Sequence, residues 1–173
     1  MRTLLLLPFL PVLAVTVSAQ NLFVADKGSG NIFEFTPAGA KSTFASGLDF
    51  PFGLAFNSVG TLFVANSEGN NISEITPGGV QSTFVSGLDQ PTGMAFNSAG
   101  DLFVAQGGFA AGSIVEITPS GQMSTFASGL VDPWSLAFDS AGNLFVSMWA
   151  AKAIKGILLK LHPVEHKARS HRD

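Results

Sequence analysis

The 173-residue chain contains no cysteine and no tyrosine, and only 12% of its residues are charged. Without cysteine there is no disulfide framework, no thiol nucleophile and no Cys-ligated zinc or iron–sulfur site. Nine Lys and Arg stand against twelve Asp and Glu, so the basic surplus that marks a nucleic-acid-binding chain is missing. Histidine is confined to His162, His166 and His171, which leaves the rest of the chain without a side chain that titrates near neutrality. Helical periodicity is absent between Asn21 and Gly142. What the chain does have is sixteen Phe, nineteen Gly and 46% hydrophobic residues. That composition is too apolar and too aromatic for a disordered tail, and the length suits one core.

The first nineteen residues read as an address. Arg2 precedes an apolar stretch from Leu4 to Val15, and Val17-Ser18-Ala19 then supplies small residues. This is the three-part pattern of a secretory signal peptide, with cleavage expected after Ala19. As a membrane anchor the stretch is short of the roughly 20 apolar residues a spanning helix needs, and Pro8 and Pro11 interrupt it. The expectation is an exported protein, secreted or periplasmic, beginning at Gln20 and free of the membrane once cleaved.

A repeat organises the remainder. Asn21–Gly60 and Thr61–Gly100 are forty residues each and align throughout; Asp101–Gly142 is a forty-two-residue copy. A fourth begins at Asn143, and its Gly156–Pro163 matches Gly112–Pro119. The copies thus start near 21, 61, 101 and 143, and the repeat region is expected over 20–163, with a tail at 164–173. Each copy divides into four short apolar runs, exemplified by Gly53–Phe56 (A), Leu62–Ala65 (B), Asn71–Ile75 (C) and Gln81–Val85 (D). The separators are Asn-Ser-x-Gly, Thr-Pro-x-Gly and Ser-Gly-Leu-x-x-Pro, which supply the Pro and Gly that tight turns require. Runs A and B are apolar almost throughout, which predicts strands buried on both faces. Four strands every forty residues, stacked face to face, make the blade of a β-propeller. The fold class expected is all-β, fourteen strands, about three and a half four-stranded antiparallel blades: a partial propeller.

The motif Leu-Phe-Val-Ala-Asp/Asn, Asn-x-Ile, Thr-Pro-x-Gly, Pro-x-Gly-x-Ala-Phe-Asn/Asp-Ser-x-Gly, as in Leu62–Gly100, resembles the NHL-type propeller repeat. It is also similar to repeats of the streptogramin (virginiamycin B) lyase and gluconolactonase-like groups, over Asn21 to about Pro163. The resemblance implies rings of six or seven blades. For the lyase group it also implies an acidic residue at the end of strand B, with metal-binding and catalytic residues, a His among them, on the same loop face. The matching strand-B ends here are Asp26, Asn66, Gln106 and Met148, followed two residues on by Gly28, Glu68, Gly108 and Ala150, and none of these loops carries a His.

With no general base where the fold would need one, the reading favoured is a binding or interaction module, not an enzyme, acting through its B–C loop face. The alternative is a fragment or half-ring of a metal-dependent lyase or lactonase. No cofactor is expected, and Ca²⁺ or Mg²⁺ enters only under that alternative, because Asp26, Asn31, Asn66, Glu68 and Asn71 offer oxygen ligands; the reading favoured for these residues is as turn caps. Glu34, Glu74 and Glu116 recur on strand C and are expected at a solvated edge, bonding Thr43, Thr83 or Thr125 across the hairpin. The B–C loop is what changes between copies: from the strand-B Val to the turn Pro it spans 13, 13, 15 and 17 residues. The later loops carry Phe109, Met148 and Trp149. An apolar group on loops held by a rigid scaffold suggests a ligand or partner contact; packing of Trp149 on its own blade is the competing reading. The binding face is therefore assigned to Asp26, Asn66, Glu68, Gln106, Phe109, Met148 and Trp149, with no catalytic or metal residue named.

An open stack leaves apolar blade faces bare, so a homodimer closing a ring is expected, alongside an unidentified ligand or protein partner and no nucleic acid. Exchange of Trp134–Asp139 between two chains would make a six-bladed C2 ring, with Asn143–Pro163 left over. The basic tail is expected to be disordered.

Overall fold

The computed structural model describes residues 20–107, 111–149 and 158–161. Within them the chain is all-β. The first sheet holds β1 (Leu22–Asp26), β2 (Asn31–Phe35) and β3 (Lys41–Ala45). The second holds β4 (Pro51–Phe56), β5 (Leu62–Asn66), β6 (Asn71–Ile75) and β7 (Gln81–Ser86). The third runs β8 (Met94–Phe96), β9 (Leu102–Gln106), β10 (Gly112–Ile117) and β11 (Met123–Leu130). The fourth runs β12 (Pro133–Phe138), β13 (Leu144–Met148) and β14 (Leu158–Leu161). Each strand pairs antiparallel with the next in its sheet. These are blades one to four of a partial β-propeller, with three, four, four and three strands. The signal peptide and the basic tail lie outside the described residues.

The turns follow their sequences. In Thr-Pro-x-Gly the amides of Gly39, Gly79 and Gly121 donate to the carbonyls of Thr36, Thr76 and Thr118 at 2.8–2.9 Å. Those glycines have φ of 80–82°, a conformation that costs a side chain steric strain and glycine none.

The core lies between the blades. Ile32, Ala45 and Leu48 of the first unit pack with Leu62, Val64 and Ile75 of the second. Phe63, Ala65 and Ile72 meet Met94, Leu102, Val104 and Ile117. Phe103, Ala105 and Ile114 meet Leu136, Leu144 and Val146. A blade therefore buries its faces only by having neighbours. A phenylalanine triad joins each pair: Phe23 is flanked edge-on by Phe44 and Phe56, Phe63 by Phe84 and Phe96, Phe103 by Phe126 and Phe138, all with centroids 5.0–5.1 Å apart. In each triad the first ring comes from strand B, the second from strand D of the same blade, and the third from strand A of the next. Edge-to-face pairs of this kind contribute about 0.5–1.5 kcal/mol each beyond the area they bury.

The strand-D phenylalanine explains one correction. The C–D ladders skip a residue between Ile32 and Phe33, Ile72 and Ser73, and Ile114 and Val115. Phe44, Phe84 and Phe126 occupy these bulges. The shift places Glu34, Glu74 and Glu116 opposite Ser42, Ser82 and Ser124 instead of the expected threonines, and the Ser82 hydroxyl donates to Glu74 Oε1 at 2.9 Å. A second correction concerns burial. The strand-B runs of blades two and three are buried along nearly their whole length, but in strand A only Pro51 of β4 is buried, and β12 exposes Trp134, Ser135 and Ala137. Strand A is the innermost strand, and an open stack leaves its inner side wet. Within one chain, Pro133–Phe138 is bonded to β13 as the first strand of blade four.

Candidate functional site

Antiparallel pairing puts the B–C loops and the D-to-A links on one face, and there they are stitched together. Ser67 N donates to the Phe50 carbonyl (3.1 Å), Gly107 N to that of Asp89 (2.6 Å) and Trp149 N to that of Asp132 (2.9 Å). Gln106 Oε1 accepts from Asp89 N, and Asn70 Oδ1 from Gln90 N. Each link ends in a left-handed residue before proline: Phe50 (φ 55°), Gln90 (φ 46°) and Asp132 (φ 47°). That conformation is strained for bulky side chains, and a following proline ordinarily favours an extended one.

The strand-B ends differ by blade. Asp26 Oδ1 accepts from Gly28 N and Ser29 N at 3.0 and 3.4 Å. The Ser29 hydroxyl, then the Gly28 amide, hold its carboxyl below the ordinary aspartate range. Asn66 is 3% exposed; its Nδ2 donates to Asn71 Oδ1 (2.7 Å) and Ser73 Oγ (2.8 Å). Gln106 Nε2 donates to Ser113 Oγ. Met148 is half-buried against the blade three–four core, and Glu68 is exposed. Phe109 lies outside the described residues. Asp26, Asn66 and Gln106 thus brace their own loops.

The apolar members do something else. Trp149 is 61% exposed and Trp134 40%; their rings lie 5.9 Å apart at 36°. Phe52 meets Trp134 edge-on at 4.8 Å. Phe52, Thr92 and Trp134 are the residues after the link proline, at or just before strand A of blades two, three and four. The small Thr92 is buried and donates to the Pro133 carbonyl at 3.0 Å, so the aromatic rings of blades two and four meet across blade three. Trp149 both packs on its own blade and stays open to solvent. Phe52 also borders a groove of about 500 Å³ whose walls include Val24, Phe33 and Phe35 of blade one with Lys27 and Lys41.

Sequence reasoning found Trp149 but missed Phe52, Trp134 and Asp132. The available signal was the large–small–large alternation after the link prolines. Two buried side-chain oxygens lack a hydrogen-bond partner among the described residues: Asn66 Oδ1 and Asp132 Oδ2. Asp132 is 6% exposed, and burial raises its carboxyl above the ordinary range. Among the described residues no three His, Asp or Glu side chains converge as a metal-binding group would.

No family model matches the chain, and no curated protein matches it by sequence. Solved structures do. A gluconolactonase from Xanthomonas campestris superposes with a TM-score of 0.72 at 16% identity, over 82% of this chain and 54% of that one. A nidogen/laminin complex gives 0.66 at 22%, over 75% and 53%. Virginiamycin B lyase from Staphylococcus aureus gives 0.60 at 17%, over 88% and 59%. The chain spans rather more than half the length of each. At these identities the likeness is one of fold: this is a partial β-propeller, similar in structure to those of gluconolactonases and streptogramin B lyases.

Proposed function

We propose that the protein is an exported NHL-like propeller module that binds a ligand or partner through its B–C loop face. The observation that carries the reading is the aromatic mouth of that face. Trp134 and Trp149 stand 40% and 61% exposed beside link and loop residues that the described backbone hydrogen bonds tie together, and exposed aromatics on rigid supports are the usual anchors of recognition. That a similar structure comes from the nidogen/laminin complex supports a binding role for this fold. The lyase or lactonase alternative has the fold similarity behind it, without a cluster of three His, Asp or Glu side chains among the described residues. A fragment screen by ligand-observed NMR, run on the mature chain and on Trp149→Ala, tests the reading. Hits that vanish in the variant support it; no hits, or hits indifferent to Trp149, reject it. Mass spectrometry of the exported product, expected to begin at Gln20, tests the leader.

We further propose that a second copy closes the stack, blade four of one chain against blade one of the other. Gly53 and Gly93 are needed because a Cβ there would run into the following blade's strand A, at Thr92 and at Trp134–Ser135. Blade four has Ser135 at this position, and in a two-chain ring its follower would be blade one, whose sheet begins with strand B.

A further inference from the structure

Residues 20–149 hold ten acidic side chains and only two basic ones, Lys27 and Lys41, and both of these border the groove of about 500 Å³ beside blade one. The later copies place Ser67 and Gly107 where the first has Lys27, and Gln81 and Met123 where it has Lys41, so the repeat does not require either charge. Lys41 Nζ lies 3.4 Å above the centroid of Phe33, itself a wall of the groove, and Lys27 Nζ 5.1 Å above that of Phe50. Among the described residues neither ammonium pairs with a carboxylate. The acid on the groove, Asp26, is taken up by its own turn, and Val24, Phe35, Pro51 and Phe52 are apolar. The groove also follows a strand edge. In blade three, Ala105 N donates to the Gly93 carbonyl and the Ala105 carbonyl accepts from Thr92 N, both at 2.9 Å. Ala25 stands opposite Ile32 as Ala105 stands opposite Ile114, so its N–H points to the same side. In blade one no strand lies on that side among the described residues, and Ala25 lines the groove.

We infer that this groove is a binding site for a small carboxylate with an apolar body, the phenylalanine walls taking the body, Lys41 and Lys27 the charge, and the Ala25 N–H one carboxylate oxygen. Its volume falls within the about 300–1,000 Å³ of small-molecule sites. Hydrogen bonds between an ammonium and a carboxylate are roughly twice as strong as neutral ones, so a neutral ligand of the same shape keeps the wall contacts and loses the stronger part of its polar ones. An amine meets two ammoniums. The site shares Phe52 with the aromatic mouth and does not rest on the loop-face reading.

The test is calorimetric titration of 4-phenylbutyrate and its neutral counterpart 4-phenylbutanamide into the mature chain at low salt, where charge pairing is least screened. A second copy on blade one would cover the same wall, so the titration is run at a concentration where light scattering shows a monomer. The acid is expected to bind, and the amide about tenfold more weakly. Lys41→Gln and Lys27→Ser put in place the residues blade two already carries there, Gln81 and Ser67, so the fold should tolerate both. Each should weaken the acid several-fold and leave the amide unchanged. Phe33→Val, which copies Val115 of blade three, should weaken acid and amide alike. Equal binding of acid and amide overturns the assignment, as does an acid affinity indifferent to both lysine variants. Binding of neither ligand also overturns it and leaves the lysines as charges that only keep the bare face from associating.

Discussion

Blades one and two share the strand-B motif Leu-Phe-Val-Ala, yet Leu22 is 61% and Val24 37% exposed where Leu62 and Val64 are fully buried. The difference is the neighbour: blade two has one on each side, blade one has one side bare among the described residues. The polar ends follow suit. Blade one ends in Asp26, which can stay charged because it is wet and capped by its own turn. Blade two ends in Asn66, a neutral amide in a site where a charge would be costly. Lys41 completes the contrast, its ammonium lying 3.4 Å above the Phe33 ring on the bare face, the kind of charge that discourages random sheet association. In this repeat, position sets chemistry and neighbours set burial.

The comparison can be broken by substitution. Leu62→Ala should cost about 2–5 kcal/mol by urea denaturation, the range for fully buried leucines, whereas Leu22→Ala should cost well under about 1 kcal/mol in a monomer. If a second copy covers blade one, Leu22→Lys should convert a dimer to a monomer by light scattering; a wild-type monomer would sink ring closure. Asn66→Asp should bring a buried charge to blade two, destabilising by about 1–3 kcal/mol at neutral pH. That penalty shrinks in acid as the new carboxyl is protonated. Asp26 behaves oppositely. Its lowered folded value contributes stability above the ordinary carboxylate range, lost as pH falls through the folded value, so Asp26→Asn should flatten the acid limb of a melting-temperature profile.

Smaller effects sharpen the picture. Gly93→Ala would set a Cβ 2.5 Å from the Trp134 carbonyl; a loss of about 1–3 kcal/mol is expected from overpacking, with a shift in tryptophan emission that Gly39→Ala does not produce. Asp132→Asn should raise the melting temperature slightly at neutral pH. Its raised folded value means that stability falls as pH rises from the ordinary carboxylate range through that value, and a neutral amide removes this slope. The advantage should vanish in acid. Last, millimolar Ca²⁺ or EDTA should leave the melting temperature where it is; a rise with metal would revive the enzymatic reading through linkage.

Much of the fold was legible because its information is local and repeated. Turn residues at fixed offsets and four apolar runs per forty residues place every described strand, and a resemblance to known repeats names the blade. The Glu–Ser register was not legible. A bulge changes the partner by one residue without changing composition, and only the packing of Phe44, Phe84 and Phe126 on strand B explains why the extra residue sits there. The site was legible in part. Trp149 announced itself as an apolar residue on a lengthened loop, but Phe52 and Trp134 look like ordinary strand residues until three inner strands are brought together over Thr92.

The sequence by itself determined the strands, the turns and the blade, since each depends on backbone preferences within a few residues. The tertiary structure alone decided which of the identical motifs are buried, which carboxylate loses its water, and which aromatic rings meet at the mouth. Those properties belong to the contact between blades, and a repeat written four times does not say which of its copies has a neighbour.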